Sequence, residues 1–230
     1  MESPIIVALD YSSEQSALAL ARKLDPKNCR VKVGKELFTA TGPRIIESLH
    51  SLGFEVFLDL KFHDIPQTVA KACHQAACLG VWMVNVHASG GRAMLSSARQ
   101  AVDDFDGAKP ILIGVTVLTS LSDEALKEVG VNATAEEQVL RLAGLCVEEG
   151  LEGVVCSAQE VPLIRNNIKS KFSLVTPGIR PTWAAKNDQH RVVTPKQAIK
   201  NGSDYLVIGR PITASDDPLS ALNKINQELA

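Results

Sequence analysis

Short β-branched runs alternate with stretches of helical period along the whole chain, and this alternation restricts the fold more than any other feature. Eight runs have the length and composition of buried strands: residues 5–9, 30–33, 55–60, 83–87, 111–117, 153–155, 173–176 and 205–208. Eight other stretches place apolar residues on one helical face: residues 13–24, 43–52, 67–79, 92–105, 135–149, 159–167, 195–201 and 218–229. Several strands are almost continuously apolar, which is typical of a parallel sheet covered on both faces.

Eight strand–helix units are the number found in a closed (β/α)8 barrel, the TIM barrel, and the 230 residues are close to its usual length. An open doubly wound sheet also alternates, but it usually has fewer strands and often a glycine-rich first turn, which residues 8–11 (ALDY) do not provide. No change of composition marks a linker, so we predict a single domain over residues 1–230. The two longest connections, residues 118–132 and 177–194, are expected at the carboxyl ends of the strands, where barrels build active sites.

Charge and hydropathy exclude several classes of function. The chain has 24 Lys plus Arg and 26 Asp plus Glu, so it has no broad cationic surface for nucleic acid or an anionic membrane. The longest nearly apolar stretch, residues 76–84, is much shorter than a bilayer span, and the amino terminus has no secretory-signal pattern. Five scattered cysteines without a CxxC pair, and histidines at no ligand spacing to them, predict reduced thiols and no metal site. We therefore expect a cytoplasmic protein.

Charged residues occupy the carboxyl ends of the first three predicted strands. The third strand ends in residues 59–66 (DLKFHDIP), where alternation places Asp59 and Lys61 on one face. Asp10 ends the first strand, and Lys32 points away from the valines that flank it in the second. Asp59 and Asp64 are the two carboxylates next to Lys61 in this motif. Their negative charges favour the protonated ammonium form of Lys61, which suits a proton donor better than an amine nucleophile. The alternative is a buried salt bridge that only fills the barrel.

Glycine and arginine follow the last two predicted strands, in residues 176–180 (TPGIR) and 208–211 (IGRP). Glycine lets backbone N–H groups approach an anion, and the arginine fork matches phosphate oxygens. Barrels commonly hold phosphate in the loops after strands seven and eight. The pattern therefore predicts a phosphate site, the alternative being two surface arginines at turns.

Several other residues near these strand ends leave two interpretations open. His87, at the end of the fourth strand, is either a base or a packed, hydrogen-bonded histidine. The hydroxyls of Thr116, Thr119 and Ser120 could bond the edge of a heterocycle, although lone hydroxyls are weak indications. Trp183, in the second long connection, either anchors a lid or only packs the loop.

These motifs resemble those of the bacterial-type orotidine 5'-phosphate decarboxylase family. The resemblance rests on residues 7–10 (VALD), 32–34 (KVG), 59–66, 86–88 (VHA), 115–120 (VTVLTS), 176–180 and 208–211, and it extends in order over essentially the whole chain. It implies a homodimeric, cofactor-free enzyme with shared active sites. Such an enzyme converts orotidine 5'-monophosphate (OMP) to uridine 5'-monophosphate (UMP) and carbon dioxide in pyrimidine nucleotide biosynthesis.

The resemblance also implies roles for individual residues. Lys61 would stabilise the carbanion at C6 of the pyrimidine and protonate it, while Asp59 would face the departing carboxylate. Asp10 and Lys32 would hold ribose hydroxyls, with Lys32 also linked to a charge network that includes Asp64. The residues implied along the pyrimidine are Thr119 and Ser120; those around the phosphate are Arg180, Gln189, Gly209 and Arg210; those reaching into the neighbouring subunit's site are Asp64, Ile65 and Thr68.

Two other functions compete with this one. Magnesium-dependent sugar-phosphate decarboxylases and aldolases of the same barrel group share the Asp-x-Lys-x-x-Asp core. They have a glutamate where this chain has Lys32, because a divalent cation needs an oxygen ligand there. A non-catalytic phosphate-binding barrel, with Asp59 and Lys61 filling the interior, would bind nucleotide without releasing carbon dioxide. Insensitivity to a chelator would exclude the first, and carbon dioxide release from OMP would exclude the second.

Overall fold

The computed structural model describes residues 3–184 and 193–229 of the chain. Eight parallel strands form a closed barrel, in which each strand pairs with the next and the last pairs with the first. The strands are β1 (Ile5–Ala8), β2 (Arg30–Gly34), β3 (Val56–Phe62), β4 (Met83–His87), β5 (Ile111–Val115), β6 (Gly153–Val155), β7 (Ser173–Thr176) and β8 (Tyr205–Ile208). The predicted barrel is confirmed, and no predicted strand end differs from the observed one by more than two residues.

Alternate strand residues face two different apolar layers. In β1, Ile5 and Val7 belong to the larger cluster, which includes the apolar faces of the helices, whereas Ile6 and Ala8 belong to a smaller one inside the barrel. The other fully apolar members of this interior layer are Phe57, Met83, Ile113, Val175 and Val207. Because both faces are buried, the strands need apolar residues at both alternating positions, which explains their continuous apolar runs.

Helices surround the barrel. Within the described residues they are α1 (Glu14–Ala21), α2 (Lys35–Thr41), α3 (Arg44–Ser51), α4 (Pro66–Cys78), α5 (Arg92–Asp103), α6 (Asp123–Glu128), α7 (Ala135–Glu148), α8 (Val161–Asn167), α9 (Pro195–Asn201), α10 (Arg210–Thr213) and α11 (Pro218–Leu229), with a 3-10 turn at Ala88–Gly90. All eight predicted helices occur. The additional α2, α6 and α10 lie in the connections after β2, β5 and β8. Helices α6 and α10, with six and four residues, are too short for a helical period to be visible in the sequence. No helix in the described ranges has the length and apolar character needed to cross a bilayer.

At the amino-terminal end of the barrel, Arg30 is buried between aromatic rings. Its guanidinium carbon lies 4.3 Å from the ring centre of Trp82 and 5.6 Å from that of Tyr205. Its Nε lies 2.7 Å from Glu55 Oε2, and one of its terminal nitrogens donates to the carbonyl oxygen of Ser3 at 3.1 Å. Since these residues are at or next to the beginnings of β1, β2, β4 and β8, they close the barrel opposite its mouth.

Replacing Arg30 by alanine should lower the free energy of unfolding by about 2 to 3 kcal/mol, because a buried cation–π contact and a charged hydrogen bond are lost. Urea unfolding followed by circular dichroism measures this change. The matched control is Arg44→Ala: the Arg44 side chain, paired with Glu14, is 72% exposed, so a loss of about 0.5 kcal/mol or less is expected. Equal losses in the two variants would contradict a stabilising role for the Arg30 cluster.

Candidate active site

A cavity of about 340 Å³ opens at the carboxyl ends of the strands. Among the described residues, the charged ones that line it are Asp10, Lys32, Asp59, Lys61, Arg180 and Arg210. Its apolar floor comes from the interior layer of the barrel, through Ala8, Phe57 and Val207. Both long connections also contribute to its wall. The cavity therefore lies at the face of the barrel where the sequence predicts a site.

Four of these charged side chains form an alternating chain across three neighbouring strands. Lys32 Nζ lies 3.1 Å from Asp10 Oδ1 and 3.3 Å from Asp59 Oδ2. Lys61 Nζ lies 2.6 Å from the other carboxylate oxygen, Asp59 Oδ1. The side chains of Lys32 and Asp59 are only 9% and 13% exposed, whereas that of Lys61 is 24% exposed. Of the two lysines on Asp59, Lys61 is thus more open to a ligand in the cavity.

Gly34 leaves room for this chain of charges. A Cβ atom at Gly34 would lie 3.3 Å from Lys32 Nζ and 3.5 Å from Asp10 Oδ1. A side chain there would crowd the ammonium and its carboxylate partner. The glycine that follows Lys32 and Val33 in the sequence therefore permits the Lys32–Asp10 ion pair.

Asp59 is held in its ionised form. Burial by itself raises the pKa of this carboxyl, but the charges of Lys32 and Lys61 and the hydrogen bonds from Lys61 and Asn85 lower it more, so the pKa lies below its usual value. A carboxylate that stays charged keeps both lysine side chains in place by direct attraction. The chain of charges is therefore preorganised before any ligand binds.

Strand β3 is irregular where it carries Asp59 and Lys61. Its pairing with β4 shifts register between Leu58 and Phe62. Lys61 has a backbone φ of 54°, the only positive φ of a non-glycine residue in the described ranges. The sequence predicts simple alternation here; Asp59 and Lys61 do meet, but on a bulged strand with left-handed backbone at Lys61.

Asn85, in the middle of β4, contacts both of these residues. Its Oδ1 accepts a hydrogen bond from the Lys61 backbone N–H at 2.8 Å, and its Nδ2 donates to Asp59 Oδ1 at 2.7 Å. The sequence patterns above assign no role to Asn85. The available signal was an amide side chain at a fully buried strand position, flanked by two valines.

Asp64, Ile65 and Thr68 lie on the surface, not in the cavity wall. They belong to the turn after β3 and the first turn of α4, and all three are exposed, Ile65 by 67%. Asp64 Oδ1 accepts a hydrogen bond from the Ile65 backbone N–H at 2.6 Å. Within one chain the ion pair of Lys61 is with Asp59 alone, so the second carboxylate that the sequence places beside Lys61 does not contact it in the described residues.

Arg180 and Arg210 line the cavity next to the chain of charges, because β7 and β8 complete the barrel beside β1. Arg180 is buried, and its backbone N–H donates to Val193 O at 3.0 Å, whereas Arg210 is exposed at the rim and begins α10. Gly178 and Gly209 lie beside them, and Gly178 has a φ of 76° that favours glycine. Gln189, the remaining residue of the implied phosphate set, lies outside the described residues.

The three hydroxyl residues after β5 have different surroundings. Thr116 is buried, and its Oγ1 donates to the carbonyl oxygen of Val155 at 2.9 Å, so its hydroxyl is used within the barrel wall. Thr119 lines the cavity, and Ser120 is exposed next to it. Of the two residues implied along the pyrimidine, Thr119 is therefore the one that borders the cavity.

Cys156 lines the cavity as well, but its surroundings keep the thiol protonated. Burial, followed by the nearby charge of Glu160, raises its pKa, so this cysteine is a poor nucleophile. His87 is half-buried outside the cavity, with its ring centre 5.4 Å from that of His63. Burial and the charges of His63, Lys35 and Lys61 lower the pKa of His87.

Trp183 packs on the carboxyl-terminal helix. Its Nε1 donates to Glu228 Oε1 at 3.0 Å, and Lys224 Nζ lies 4.7 Å from the centre of its ring. Both partners belong to α11. In this structure the tryptophan therefore packs its loop against a helix and is not part of the cavity wall.

The donor set of the cavity does not resemble a metal site. Within residues 3–184 and 193–229, no three His, Cys, Asp or Glu side chains converge as metal ligands. Between the carboxylates of Asp10 and Asp59 lies the ammonium of Lys32, which repels a cation. The arrangement is suited to binding an anionic ligand and to transferring a proton from Lys61.

Comparison with known proteins gives consistent matches over the whole chain. Residues 3–225 match the model of the orotidine 5'-phosphate decarboxylase / HUMPS family. A relative named orotidine 5'-phosphate decarboxylase from Saccharophagus degradans is 57% identical over 226 residues, covering 98% of this chain and 94% of the relative. One of the same name from Vibrio parahaemolyticus is 54% identical over 230 residues, covering 100% and 99%.

Solved structures agree with these matches. The crystal structure of orotidine 5'-phosphate decarboxylase from Lactobacillus acidophilus superimposes with a TM-score of 0.88 at 40% identity and covers 99% of each chain. That of the Pyrococcus horikoshii enzyme superimposes with a TM-score of 0.79 at 25% identity and covers 98% of each chain.

Proposed function

The chain belongs to the orotidine 5'-phosphate decarboxylase / HUMPS family, and from this premise we propose how the residues of its cavity carry out the reaction. The protein is a carboxy-lyase that decarboxylates OMP to UMP in pyrimidine nucleotide biosynthesis. The observation that carries the proposed residue roles is the Asp10–Lys32–Asp59–Lys61 chain of charges at the cavity.

Lys61 is the proton donor in this proposal. Loss of carbon dioxide leaves an electron pair at C6 of the pyrimidine, where the ring gives it little resonance stabilisation. A fixed ammonium beside C6 stabilises this negative charge as it develops and then donates a proton to the carbon. The short contact to Asp59, the greater exposure of Lys61 and the placement of both at the cavity support this role.

Asp59 faces the carboxylate of the substrate in the same arrangement. Its lowered pKa keeps it ionised, so it repels the substrate carboxylate, and the repulsion disappears as neutral carbon dioxide forms. Asp59 also keeps the Lys61 ammonium in place. Lys32, held between Asp10 and Asp59, completes the charge network, and Asp10 and Lys32 bind the ribose hydroxyls.

The arginines hold the phosphate of the substrate. Arg180 and Arg210 supply guanidinium forks, and Gly209 gives the backbone access to phosphate oxygens, with Gln189 as a further contact. The pyrimidine then extends toward β3 and β5, with Thr119 and Ser120 along its edge. Phosphate binding far from the reacting carbon supplies binding energy for organising the site around C6.

Arg210→Ala should raise KM for OMP about tenfold or more, because a bidentate charged contact to phosphate is lost. The effect on kcat should be smaller, since Arg210 does not touch the reacting carbon. Steady-state kinetics measure both constants. The phosphate-free nucleoside orotidine is the matched control substrate: its weak turnover should be the same in both enzymes. An unchanged KM for OMP would contradict the assignment.

We propose a homodimer in which each site is completed by the neighbouring subunit. An exposed strip of three residues, Asp64, Ile65 and Thr68, directly follows the strand that carries Lys61. In the described residues only one other aliphatic side chain, a smaller one, is as strongly exposed as that of Ile65. A second copy that covers this strip would bring Asp64 to the charge network of its partner.

The magnesium-dependent alternative is not favoured. The two relatives named orotidine 5'-phosphate decarboxylase match this chain over nearly their full length. In addition, Lys32 occupies the position where the metal enzymes need an oxygen ligand. The proposed reaction therefore uses no metal or organic cofactor. A cytoplasmic location is consistent with a biosynthetic enzyme whose five cysteines are unpaired thiols.

Mixing the purified protein with OMP tests the function directly. The ultraviolet absorbance of the pyrimidine should fall as its carboxylate is lost, with carbon dioxide released and UMP formed in equal amounts. Turnover should persist in excess chelator. Binding of OMP without release of carbon dioxide would instead indicate a phosphate-binding barrel without catalysis.

A further inference from the structure

We propose that Asn85 is a positioning residue of this decarboxylase, one that holds the carboxylate of Asp59 and the backbone of Lys61 in their working geometry. The proposal rests on the roles given above to Asp59 and Lys61. It adds a residue from β4, a strand that contributes no side chain to the cavity wall within the described residues.

Asn85 makes two hydrogen bonds of opposite sense. Its side-chain carbonyl accepts from the Lys61 N–H at 2.8 Å, and its NH2 group donates to Asp59 Oδ1 at 2.7 Å. These partners fix the orientation of the amide, since the N–H can only donate and the ionised carboxylate can only accept. With 0% exposure, Asn85 can take neither bond from solvent. The geometry of the two partners is thus coupled through one buried side chain.

The bulge in β3 explains why such a residue is needed. Leu58 pairs with Val84 and Phe62 pairs with Val86, so three residues of β3 lie opposite Asn85 alone. The regular ladder of backbone hydrogen bonds is interrupted there. The Asn85 side chain provides an acceptor for the Lys61 N–H in this interruption.

The backbone of Lys61 is unfavourable without this support. A φ of 54° in a lysine costs roughly 1 to 2 kcal/mol relative to an ordinary conformation, because Cβ crowds the following carbonyl. Strain of this kind persists when surrounding contacts hold the residue in place. A relaxed backbone would redirect the Lys61 side chain, and with it the ammonium that lies 2.6 Å from Asp59.

Asp59 depends on Asn85 as well. Its Oδ1 receives two donors, the Lys61 ammonium and the Asn85 amide, while its Oδ2 faces Lys32 at 3.3 Å. The amide is a neutral donor, so it orients the carboxylate without adding charge at the reacting centre. Because Asn85 does not line the cavity, its loss should affect the chemical step more than nucleotide binding.

Asn85→Leu tests the proposal, because leucine has a similar size and makes neither hydrogen bond. We expect kcat for OMP to fall at least tenfold, with KM and the Kd of UMP changed less than threefold. Ser203→Ala is the matched control: it removes a buried hydroxyl that accepts a hydrogen bond from Thr176 but touches neither Asp59 nor Lys61. This control should retain kcat within twofold.

Asn85→Asp separates positioning from a purely structural role. The new side chain keeps an acceptor for Lys61 but places a second carboxyl beside Asp59, so the pair shares a proton and one of their pKa values is raised. Lys32 and Lys61 also face this pair, Asp10 lies beyond Lys32, and His87 lies within the field of Asp59. When protonated, the introduced acid donates to Asp59 as the amide does. The ratio of kcat for Asn85→Asp to kcat for the wild type should therefore rise as the pH is lowered.

The outcomes are distinct. A kcat of Asn85→Leu within twofold of the wild type would overturn the proposal, and so would an equal loss in Ser203→Ala or a pH-independent ratio for Asn85→Asp. Wild-type protein assayed in parallel reports on the function itself. If it fails to release carbon dioxide from OMP, the proposed function is wrong; if it turns over normally while the Asn85 variants are unaffected, only the positioning role is wrong.

Discussion

Lys61→Ala should lower kcat for OMP by about 10⁴-fold or more, because the change removes both the charge that stabilises the carbanion and the proton that quenches it. The Kd of UMP should change little, since the arginines and the ribose contacts remain. A spectrophotometric assay gives kcat, and calorimetric titration with UMP gives the Kd. A loss confined to kcat identifies a group that acts on the transition state.

Two controls accompany this variant. Lys23→Ala removes an exposed lysine in the segment after α1 that does not line the cavity, so its kcat should equal that of the wild type. Urea unfolding of Lys61→Ala should still show one cooperative transition, with a modest loss of stability because the largely buried Asp59 keeps only one of its two lysine partners. Turnover within tenfold of the wild type would rule out Lys61 as the proton donor.

Mixed dimers of Lys61→Ala and Asp64→Ala subunits should recover activity that neither variant has alone. In such a heterodimer one site contains both substitutions, while the other combines an intact Lys61 with an intact Asp64 from its neighbour. With random pairing, half of the dimers are mixed, so about a quarter of all sites are native and activity should reach about a quarter of the wild-type value. Co-expression followed by the OMP assay measures the recovery.

The control for this experiment pairs Lys61→Ala with a chain that carries both substitutions. No combination of these two subunits produces a native site, so activity should stay at the background level. Recovery only in the first mixture would establish that the exposed turn after β3 completes the neighbouring site. Absence of recovery in purified mixed dimers would mean that each site is formed by one chain alone.

Asp59 and Lys61 illustrate which features of the site sequence patterns can predict and which they cannot. Alternation predicts that these two residues share a face, and their side chains do meet at 2.6 Å. The same pattern could not predict the bulge on which both residues lie, because the bulge arises from the pairing of β3 with β4. Nor could it predict the role of Asn85, which lies 24 residues from Lys61 in the sequence and contacts it only across the sheet.

The short helices and the acidic turn show the same limit. Helix α6 lies in a connection that the sequence marks only as long, because six residues are too few to display a helical period. Asp64 is near Lys61 in the sequence, yet in the folded chain it turns to the surface and bonds to the Ile65 N–H. Proximity in sequence did not predict contact there.

Sequence patterns alone are enough to predict the barrel, the order of its elements and the identity of the charged residues at its mouth. These follow from local periodicity, and from the rule that the carboxyl ends of parallel strands meet at one face. The left-handed backbone of Lys61, the shared ion pairs of Asp59 and the buried amide that links them are visible only in the folded chain. These features depend on contacts between residues that are far apart in the chain. Such contacts form, and contribute to stability, only when the barrel is closed.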